Sequence, residues 1–230
     1  MIFTSSALMN KKKIGFLTIG QSPRQDVLSE IMPLLSPALD AVEYGLLDNL
    51  GLEEIDALKP GSQETPLVSC LKDGHQVELS EHRISKLLPH AVKFMKAKMG
   101  VKAVGVLCTH EFPKNRYSCP TVFPFDCLKF IINDVLEVRK LGVVVPLENQ
   151  KEMTKQKWGK ERTCVIAKSP YTEGKTWEDV ATTFLQEKAE AVVLDCIGYK
   201  IRDRHEFQNL LSIPTLLPRT ILAFAMIQFF

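Results

Sequence analysis

Two cysteines occupy positions from which a pair of thiols could perform acid–base chemistry on carbon. Cys108 follows the apolar run 103–107, and Cys196 follows a second apolar run that ends at Asp195. Both runs are typical of buried parallel strands, and ligands bind beyond the carboxyl ends of such strands. If the two strands lie in lobes that face each other, one thiolate removes a proton and the opposed thiol returns one on the other face. A free cysteine has a pKa of ~8.5, near enough to working pH for this role.

The other four cysteines are expected to be inert core residues: Cys70, Cys119, Cys127 and Cys164. Free cysteine is among the residue types most often found buried. No two cysteines form a C-x-x-C pair and no cluster of histidines and cysteines has zinc spacing, so the sequence predicts no metal site. All six cysteines are predicted to be free thiols.

The elements that must position these cysteines repeat along the chain. Apolar strands alternate with helices, which indicates parallel sheets. The run 13–17 aligns with 140–144, and an Ala-Val pair stands five and four residues before each of the two cysteines. The predicted fold class is therefore α/β, with two pseudo-symmetric lobes, each a parallel sheet flanked by helices. The first half is longer and contains a predicted hairpin at 66–79, with Asp73-Gly74 at its turn.

The repeat also predicts how the chain divides. We expect a disordered tail at 1–10, an N-terminal lobe at 11–120 and a C-terminal lobe at 121–218. The last helix, 219–230, is expected to pack back on the N-terminal lobe. The first helix is predicted to begin with Ser22 as its N-cap and Pro23 as its first residue. The sequence leaves open whether Met1 or Met9 is the natural start.

Polar residues at the junctions between strands and helices are candidates for holding a substrate. In the segment Gln21-Ser22-Pro23-Arg24, backbone N–H groups, the serine hydroxyl and the guanidinium could bind an anion. The alternative is plain helix capping with a solvated arginine. His110 and Glu111 are interpreted as ordinary loop residues, and a surface position is the alternative for Arg219. The predicted substrate-binding residues are Gln21, Ser22, Arg24, Thr109, Asp195, Gly198 and Arg219.

Composition argues against several classes of function. The net charge is +2, with 45% hydrophobic and 24% charged residues, so no basic excess indicates nucleic acid as a partner. No apolar stretch reaches the ~18 residues of a membrane span, and no glycine-rich loop indicates a nucleotide. We expect a cytoplasmic protein without a cofactor or a membrane partner, acting on a small anionic substrate. A homodimer is left open.

Several runs resemble those of a known family. The segments Ile14-Gly15-Phe16-Leu17-Thr18-Ile19-Gly20-Gln21-Ser22-Pro23-Arg24, Leu107-Cys108-Thr109, Glu111-Phe112-Pro113, Leu194-Asp195-Cys196-Ile197-Gly198-Tyr199 and Leu217-Pro218-Arg219-Thr220 are similar to those of the AroM family. That family has no established reaction, so this resemblance implies a relationship but no activity.

More distantly, the two-lobe plan resembles the aspartate/glutamate/hydantoin racemase superfamily. The resemblance implies two cysteines that invert a carbon next to a carboxyl or carbonyl group without a cofactor, and relatives that decarboxylate or isomerise small acids. Cys196-Ile197-Gly198 is similar to the hydantoin-racemase pattern of Cys, a small or apolar residue, then Gly. Thr109-His110 departs from the Asn-Thr of the amino-acid racemases, which argues against an amino-acid substrate.

The leading hypothesis is a cofactor-independent racemase or isomerase of a small carboxylate or cyclic amide. Cys108 and Cys196 would be the two bases, with their sulfurs roughly 7–9 Å apart so that one carbon fits between them. Ser22, Arg24 and Thr109 would hold the anionic part of the substrate. Two alternatives remain. One is a decarboxylase or cis–trans isomerase that uses a single thiol, and the other is a non-catalytic protein that binds a small acid.

Overall fold

The computed structural model describes residues 11–172 and 174–230, so the predicted tail at 1–10 lies outside the described residues. The first half contains these elements: β1 (Lys12–Thr18), α1 (Gln25–Ile31), β2 (Leu39–Gly45), α2 (Leu52–Asp56), β3 (Pro66–Cys70), β4 (Gln76–Ser80), α3 (Glu81–Phe94), β5 (Ala103–Val106) and β6 (Thr121–Val122). The second half contains α4 (Pro124–Phe130), β7 (Leu141–Val145), α5 (Lys151–Trp158), β8 (Thr163–Ala167), α6 (Trp177–Gln186), β9 (Ala191–Leu194), α7 (Ile201–Leu210), β10 (Thr215–Leu216) and α8 (Pro218–Ile227).

Two four-stranded parallel sheets have the same topology. Their strand orders are β2-β1-β5-β6 and β8-β7-β9-β10. In the first sheet β1 lies between β2 and β5, and in the second sheet β7 lies between β8 and β9 in the same way. The registers also correspond, because Ile14 pairs with Ala103 in one sheet and Leu141 pairs with Ala191 in the other. The predicted α/β fold with two pseudo-symmetric lobes is confirmed.

Both faces of each sheet are buried, as the unbroken apolar runs predict. In β1, Ile14 and Phe16 face one core cluster and Leu17 faces another. In β7, Val143 and Val144 likewise point to opposite clusters. This alternation follows from the two-residue period of a strand, and it explains why the sequence reads as continuously apolar.

The two lobes exchange their covering helices. After β6 the chain enters α4, which contributes Phe125 and Leu128 to the core of the second sheet. After β10 it enters α8, which contributes Leu222 and Met226 to the core that covers β1 in the first sheet. The lobe boundaries at residues 120 and 218 stay predictions. The exchange ties the two halves together and fixes the cleft between them.

The extra segment of the first half forms the expected antiparallel hairpin. Strands β3 and β4 pair along their length, from Pro66 opposite Ser80 to Cys70 opposite Gln76. Gly74 lies in the turn between them with φ +88°. The hairpin packs tightly against the end of β1, because a Cβ at Gly20 would clash with the carbonyl oxygen of Cys70. Only glycine at this position lets the hairpin approach so closely. Ser80 ends the hairpin and caps α3 by accepting a hydrogen bond from the Arg83 N–H at 3.3 Å.

No helix among residues 11–172 and 174–230 is both long enough and apolar enough to cross a bilayer.

Candidate active site

The carboxyl ends of both sheets open into one cavity of about 200 Å³. Residues that follow β1, β5, β7 and β9 line it, as expected for parallel sheets that meet end to end. Cys108 and Cys196 both line this cavity, and both are partly buried. The structure therefore brings together the two cysteines that the sequence singles out, one from each half.

The two thiols have matching backbone environments. The N–H of Gly198 donates to the Cys196 sulfur at 3.3 Å. The N–H of His110, also two residues further along, donates to the Cys108 sulfur. A backbone N–H favours the thiolate, so each loop supplies the same stabilisation to its own cysteine.

Burial opposes this stabilisation. It raises the pKa of Cys108 to about 11, and it raises the pKa of Cys196 as well. Each thiol also has a cation from the opposite half that lowers its pKa: Lys157 acts on Cys108, and Arg24 acts on Cys196. The negative charge of a Cys196 thiolate raises the pKa of Cys108, so the two groups favour a state in which only one of them is ionised.

Lys157 and Asp195 form a buried ion pair on the wall of the cavity. The Lys157 Nζ lies 2.5 Å from Asp195 Oδ2, with 14% and 1% of the two side chains exposed. The Trp158 indole N–H donates to the same oxygen at 2.8 Å, and Lys157 also donates to the Thr109 carbonyl at 3.3 Å. Asp195 Oδ1 is buried and accepts no hydrogen bond from any residue in the described ranges. The structure thus places Asp195 in the cavity wall, and its role in substrate binding stays a prediction.

Sequence reasoning missed Lys157. It lies in the last turn of α5, and nothing in its spacing separates it from Lys151 and Lys155 on the same helix. Its partner Asp195 follows β9 and is far from Lys157 in the sequence. The ion pair is therefore visible only in the folded chain.

The segment at the end of β1 differs from its prediction. Ser22 does not cap α1, because its N–H and its hydroxyl both donate to the Asp48 carboxylate, at 2.7 and 2.6 Å. The helix starts at Gln25 instead, with Arg24 in the N-cap position. The predicted helix start is wrong, and Ser22 does not line the cavity. Both of its polar groups are occupied by Asp48, which leaves no donor for a substrate anion.

Gln21 was expected to bind the substrate, but in the structure it anchors the hairpin. Its side chain donates to the Leu47 carbonyl at 3.3 Å and accepts from the Lys72 N–H at 2.9 Å, and its backbone N–H donates to the Cys70 carbonyl at 3.1 Å. It does not line the cavity. Its three contacts hold the end of β1 against the loop after β2 and against the hairpin.

Arg24 lines the cavity, but it already has a carboxylate partner. Its Nε and one terminal nitrogen contact Asp26 Oδ1 and Oδ2 at 2.8 and 2.6 Å, a bidentate pair. The guanidinium holds the pKa of Asp26 below its usual range even though burial of that carboxyl raises it. Arg24 is neither solvated nor free to form a bidentate pair with a substrate carboxylate in this arrangement.

Arg219 lies outside the cavity, contrary to its predicted role in substrate binding. It is fully buried and is therefore not a surface arginine either. It donates to the Ile197 carbonyl at 3.1 and 2.6 Å, to Glu30 Oε2 at 2.8 Å and to the Asp26 carbonyl at 3.1 Å. These contacts connect α8, the loop after Cys196 and α1, so Arg219 holds the two lobes in register.

Thr109 and Gly198 have different positions in the site. Thr109 lines the cavity and its hydroxyl donates to the Asp195 carbonyl at 3.4 Å, a contact between the lobes. Gly198 does not line the cavity, and a Cβ there would clash with the hydroxyl of Tyr171. A side chain at position 198 would push Tyr171 away from its place beside Cys196.

Further cavity residues carry no signal in the sequence. Tyr171 lines the cavity, and burial raises the pKa of its hydroxyl. His110, interpreted above as a loop residue, also lines it, and burial together with the charge of Lys157 lowers the pKa of its imidazole. Ser69 and Cys70 reach the cavity from the hairpin, so Cys70 is not the core cysteine that was expected. Within the described ranges, no group of three or more histidine, cysteine or acidic residues could hold a metal ion.

Comparisons with solved structures show the same fold at low identity. The maleate isomerase Iso from Pseudomonas putida S16 matches with a TM-score of 0.60 and 12% identity, covering 94% of this chain and 92% of the isomerase. An arylmalonate decarboxylase matches with a TM-score of 0.57 and 12% identity, over 94% and 91% of the two chains. The allantoin racemase from Pseudomonas fluorescens also has a TM-score of 0.57, at 13% identity, over 94% and 91%.

No curated protein matches the chain in sequence. The family model described as AroM protein matches residues 14–230. The chain therefore belongs to the AroM family, and it has the fold of the aspartate/glutamate/hydantoin racemase superfamily.

Proposed function

We propose that this protein is a cofactor-independent racemase or isomerase of a small carboxylate or cyclic amide, in which Cys108 and Cys196 act as opposed acid and base. The observation that carries the proposal is that both thiols line one cavity, each two residues beyond the end of its strand, β5 for Cys108 and β9 for Cys196. The solved structures with this fold include an isomerase, a racemase and a decarboxylase, which supports a reaction at a carbon next to a carboxyl or carbonyl group.

The electrostatics of the cavity support a two-base mechanism. A raised pKa makes a thiolate a strong base, which suits removal of a weakly acidic proton from carbon. Because ionisation of one thiol opposes ionisation of the other, the reactive state is one thiolate facing one thiol. The thiolate takes the proton from one face, and the thiol gives its proton to the other face. The roles of Cys108 and Cys196 are then exchanged for the reverse reaction.

The proposed substrate contacts differ from those expected from the sequence. Thr109 and Arg24 line the cavity as candidates that the sequence already named, Ser22 and Arg219 do not, and Lys157 is a new candidate. Lys157 and Arg24 each lower the pKa of one thiol, so they have a second role in stabilising whichever thiolate forms. Tyr171 and His110 complete the polar part of the wall.

The test is a screen for solvent deuterium exchange over pooled small acids, amino acids and cyclic amides, read by mass spectrometry. We expect exchange at one carbon next to a carboxyl or carbonyl group. The Cys108→Ala/Cys196→Ala double variant is the matched control and should show no exchange while still binding the same compound. A wild-type protein that binds a small acid without any exchange would refute the proposal in favour of a binding protein.

A further inference from the structure

The helices α4 and α8 are structural equivalents in the two halves. Each follows a two-residue strand within the same motif, Pro-Thr-x-x-Pro, which begins at Pro120 and at Pro214. The carbonyls of these two prolines accept hydrogen bonds from β5 and β9, at 2.9 and 2.8 Å. The hydroxyls of Thr121 and Thr215 each donate to the carbonyl two residues before them, at 3.0 and 3.3 Å. Each residue of α4 therefore corresponds to the residue of α8 that stands 94 positions further along the chain.

The two helices pack against each other around a local pseudo-twofold axis. Cys127 of α4 packs on the core cluster that contains Leu222 of α8. Ile221 of α8 packs on the cluster that contains Leu128 of α4. Cys127 corresponds to Ile221 and Leu128 corresponds to Leu222, so the contact is symmetric. Residues one turn beyond it are neighbours of these contact residues and lie on either side of the axis.

Beyond this contact, both helices expose apolar side chains at corresponding positions. Phe130 is 60% exposed and Phe224 is 53% exposed, and each stands three residues after the contact residue of its helix. The turns that continue the two helices hold four more exposed side chains. In the described ranges, six of the twelve exposed large apolar side chains belong to these two segments. We call them the paired face, which consists of Phe130 with Phe224, Val135 with Phe229, and Leu136 with Phe230.

The area of the paired face suits one side of a protein–protein interface. Its four phenylalanines are 41–60% exposed, and a phenylalanine buries ~150–250 Å² when it is fully covered, so together they offer roughly 300–500 Å². An interface of standard size covers ~800 Å² on each partner, of which ~65% is apolar between two copies of one chain. The paired face therefore supplies most of the apolar area that a dimer of this size needs.

The symmetry of the paired face indicates a second copy of this chain as the partner. In a twofold dimer both subunits use the same patch, so the patch must be complementary to itself. A face built from corresponding pairs meets this condition. When Phe130 covers Phe224 of the partner subunit, the reverse contact forms at the same time.

Charged residues at the two ends of the paired face favour one orientation. At the α8 end, the Lys12 Nζ lies 5.3 Å from the centroid of the Phe230 ring. At the α4 end, the exposed Asp134 precedes Val135. Packing α8 on α8 would bring like charges together, whereas packing α4 on α8 brings opposite charges together.

We infer that the paired face is the interface of a homodimer in which α4 of one protomer packs against α8 of its partner. Each of these helices covers the sheet of the opposite lobe, so the interface involves both lobes of each protomer. None of the six residues of the paired face lines the cavity. The inference goes beyond the proposed function, and either can fail without the other.

The first test is sedimentation velocity of the wild-type protein over a concentration series. Interfaces of standard size have Kd values from micromolar to picomolar, so the protein should be dimeric at ~100 µM. A monomer at this concentration would overturn the inference. A monomer that co-sediments with anionic phospholipid vesicles would overturn it in favour of a lipid surface. A dimer that forms only after deletion of residues 1–10 would overturn it in favour of that segment as the natural cover.

The second test locates the interface with Phe130→Glu and Phe224→Glu. Each substitution places two charges in the apolar part of a twofold interface, so each should raise the Kd of the dimer by at least about 100-fold. Leu185→Glu is the matched control, because Leu185 is 68% exposed near the end of α6 and lies outside the paired face. This variant should keep the wild-type Kd. A variant of Phe130 or Phe224 with native circular dichroism and the wild-type Kd would overturn the inference.

Hydrogen exchange of the wild-type protein gives the same information without a substitution. The amides of 130–136 and 224–230 should exchange more slowly in a concentrated sample than in a dilute one, because the dimer covers them. Equal exchange in these two segments at concentrations where sedimentation shows dimer and monomer would place the interface elsewhere and overturn the inference.

A charge exchange tests the orientation. Lys12→Glu and Asp134→Lys each bring like charges together twice in the dimer, so each should raise the Kd by about 2- to 30-fold. The double variant restores opposite charges and should recover the wild-type Kd. Asp134→Lys combined with Lys72→Glu, at an exposed lysine of the hairpin, is the control and should not recover it. A Lys12→Glu/Asp134→Lys protein that dimerises no better than the single variants would overturn the packing of α4 against α8.

Discussion

Replacing Lys157 with methionine removes a buried positive charge and keeps most of the side-chain volume. Asp195, with 1% of its side chain exposed, would lose its ion-pair partner and keep only the Trp158 indole N–H at 2.8 Å. Breaking a buried pair by removing one partner costs about 3–5 kcal/mol. Because Trp158 still donates and Lys157 itself is 14% exposed, we expect the lower end, about 3 kcal/mol.

The matched control lies on the same helix. Lys155 pairs with Glu152 at 3.0 Å, but 32% and 68% of these side chains are exposed. Solvent screens such a pair, so Lys155→Met should leave the free energy of unfolding close to that of the wild type. Urea denaturation followed by tryptophan fluorescence and by circular dichroism measures both variants.

The reactivity of the Cys108 thiol gives a second readout for Lys157→Met. Lys157 lowers the pKa of Cys108, so its removal should raise that pKa further and slow the alkylation of Cys108 at a fixed alkaline pH. Peptide-resolved mass spectrometry after iodoacetamide treatment measures this rate. If Lys157→Met and Lys155→Met unfold at the same urea concentration, the buried ion pair has no structural importance and the reasoning is wrong.

Three further predictions concern the lobe contacts, the cavity wall and pH. Arg219→Met should lower the free energy of unfolding in urea by about 3 kcal/mol, the lower end for a broken buried pair, because Glu30 is 26% exposed and still accepts from the Ile201 N–H. A change below about 1 kcal/mol would count against this. Gly198→Ala should displace Tyr171 and reduce turnover by at least about tenfold, whereas Gly174→Ala, where a Cβ meets nothing within 4 Å, should not. Burial raises the pKa of Cys108 from 9.0 to about 11, so the folded state holds this proton longer than the unfolded state and stability should fall as pH rises from about 9 to 11. In Cys108→Ser this loss should be smaller, and equal pH profiles would contradict it.

The sequence predicts the fold and the position of Cys108 and Cys196 at strand ends, because both depend on local patterns. Each cysteine ends an apolar run that must be a buried strand, and the Ala-Val pairs before Cys108 and Cys196 lie in corresponding registers of the two sheets. The turn at Gly74 and the cap at Ser80 are also local features, and the structure contains both.

The remaining site residues depend on contacts between distant segments. Ser22 has the residue type of an N-cap, but Asp48, from the loop after β2, takes both of its donors. Arg219 stands at a junction that matches the start of the first helix, yet the exchange of helices buries it between the lobes. Lys157 becomes a cavity residue only because α5 places it over the end of β9. No local pattern records these pairings.

The central claim is that two thiols share one reaction, and the measurement that tests it is the exchange of each enantiomer of the substrate in deuterated water by single cysteine variants. Cys108→Ser and Cys196→Ser should each abolish interconversion of the enantiomers, because a serine hydroxyl is too weak an acid to replace a thiolate near neutral pH. Each variant should still exchange the proton of one enantiomer only, with opposite specificity in the two variants. Interconversion that persists in either variant would contradict the account, because the replaced thiol would then have no part in the chemistry.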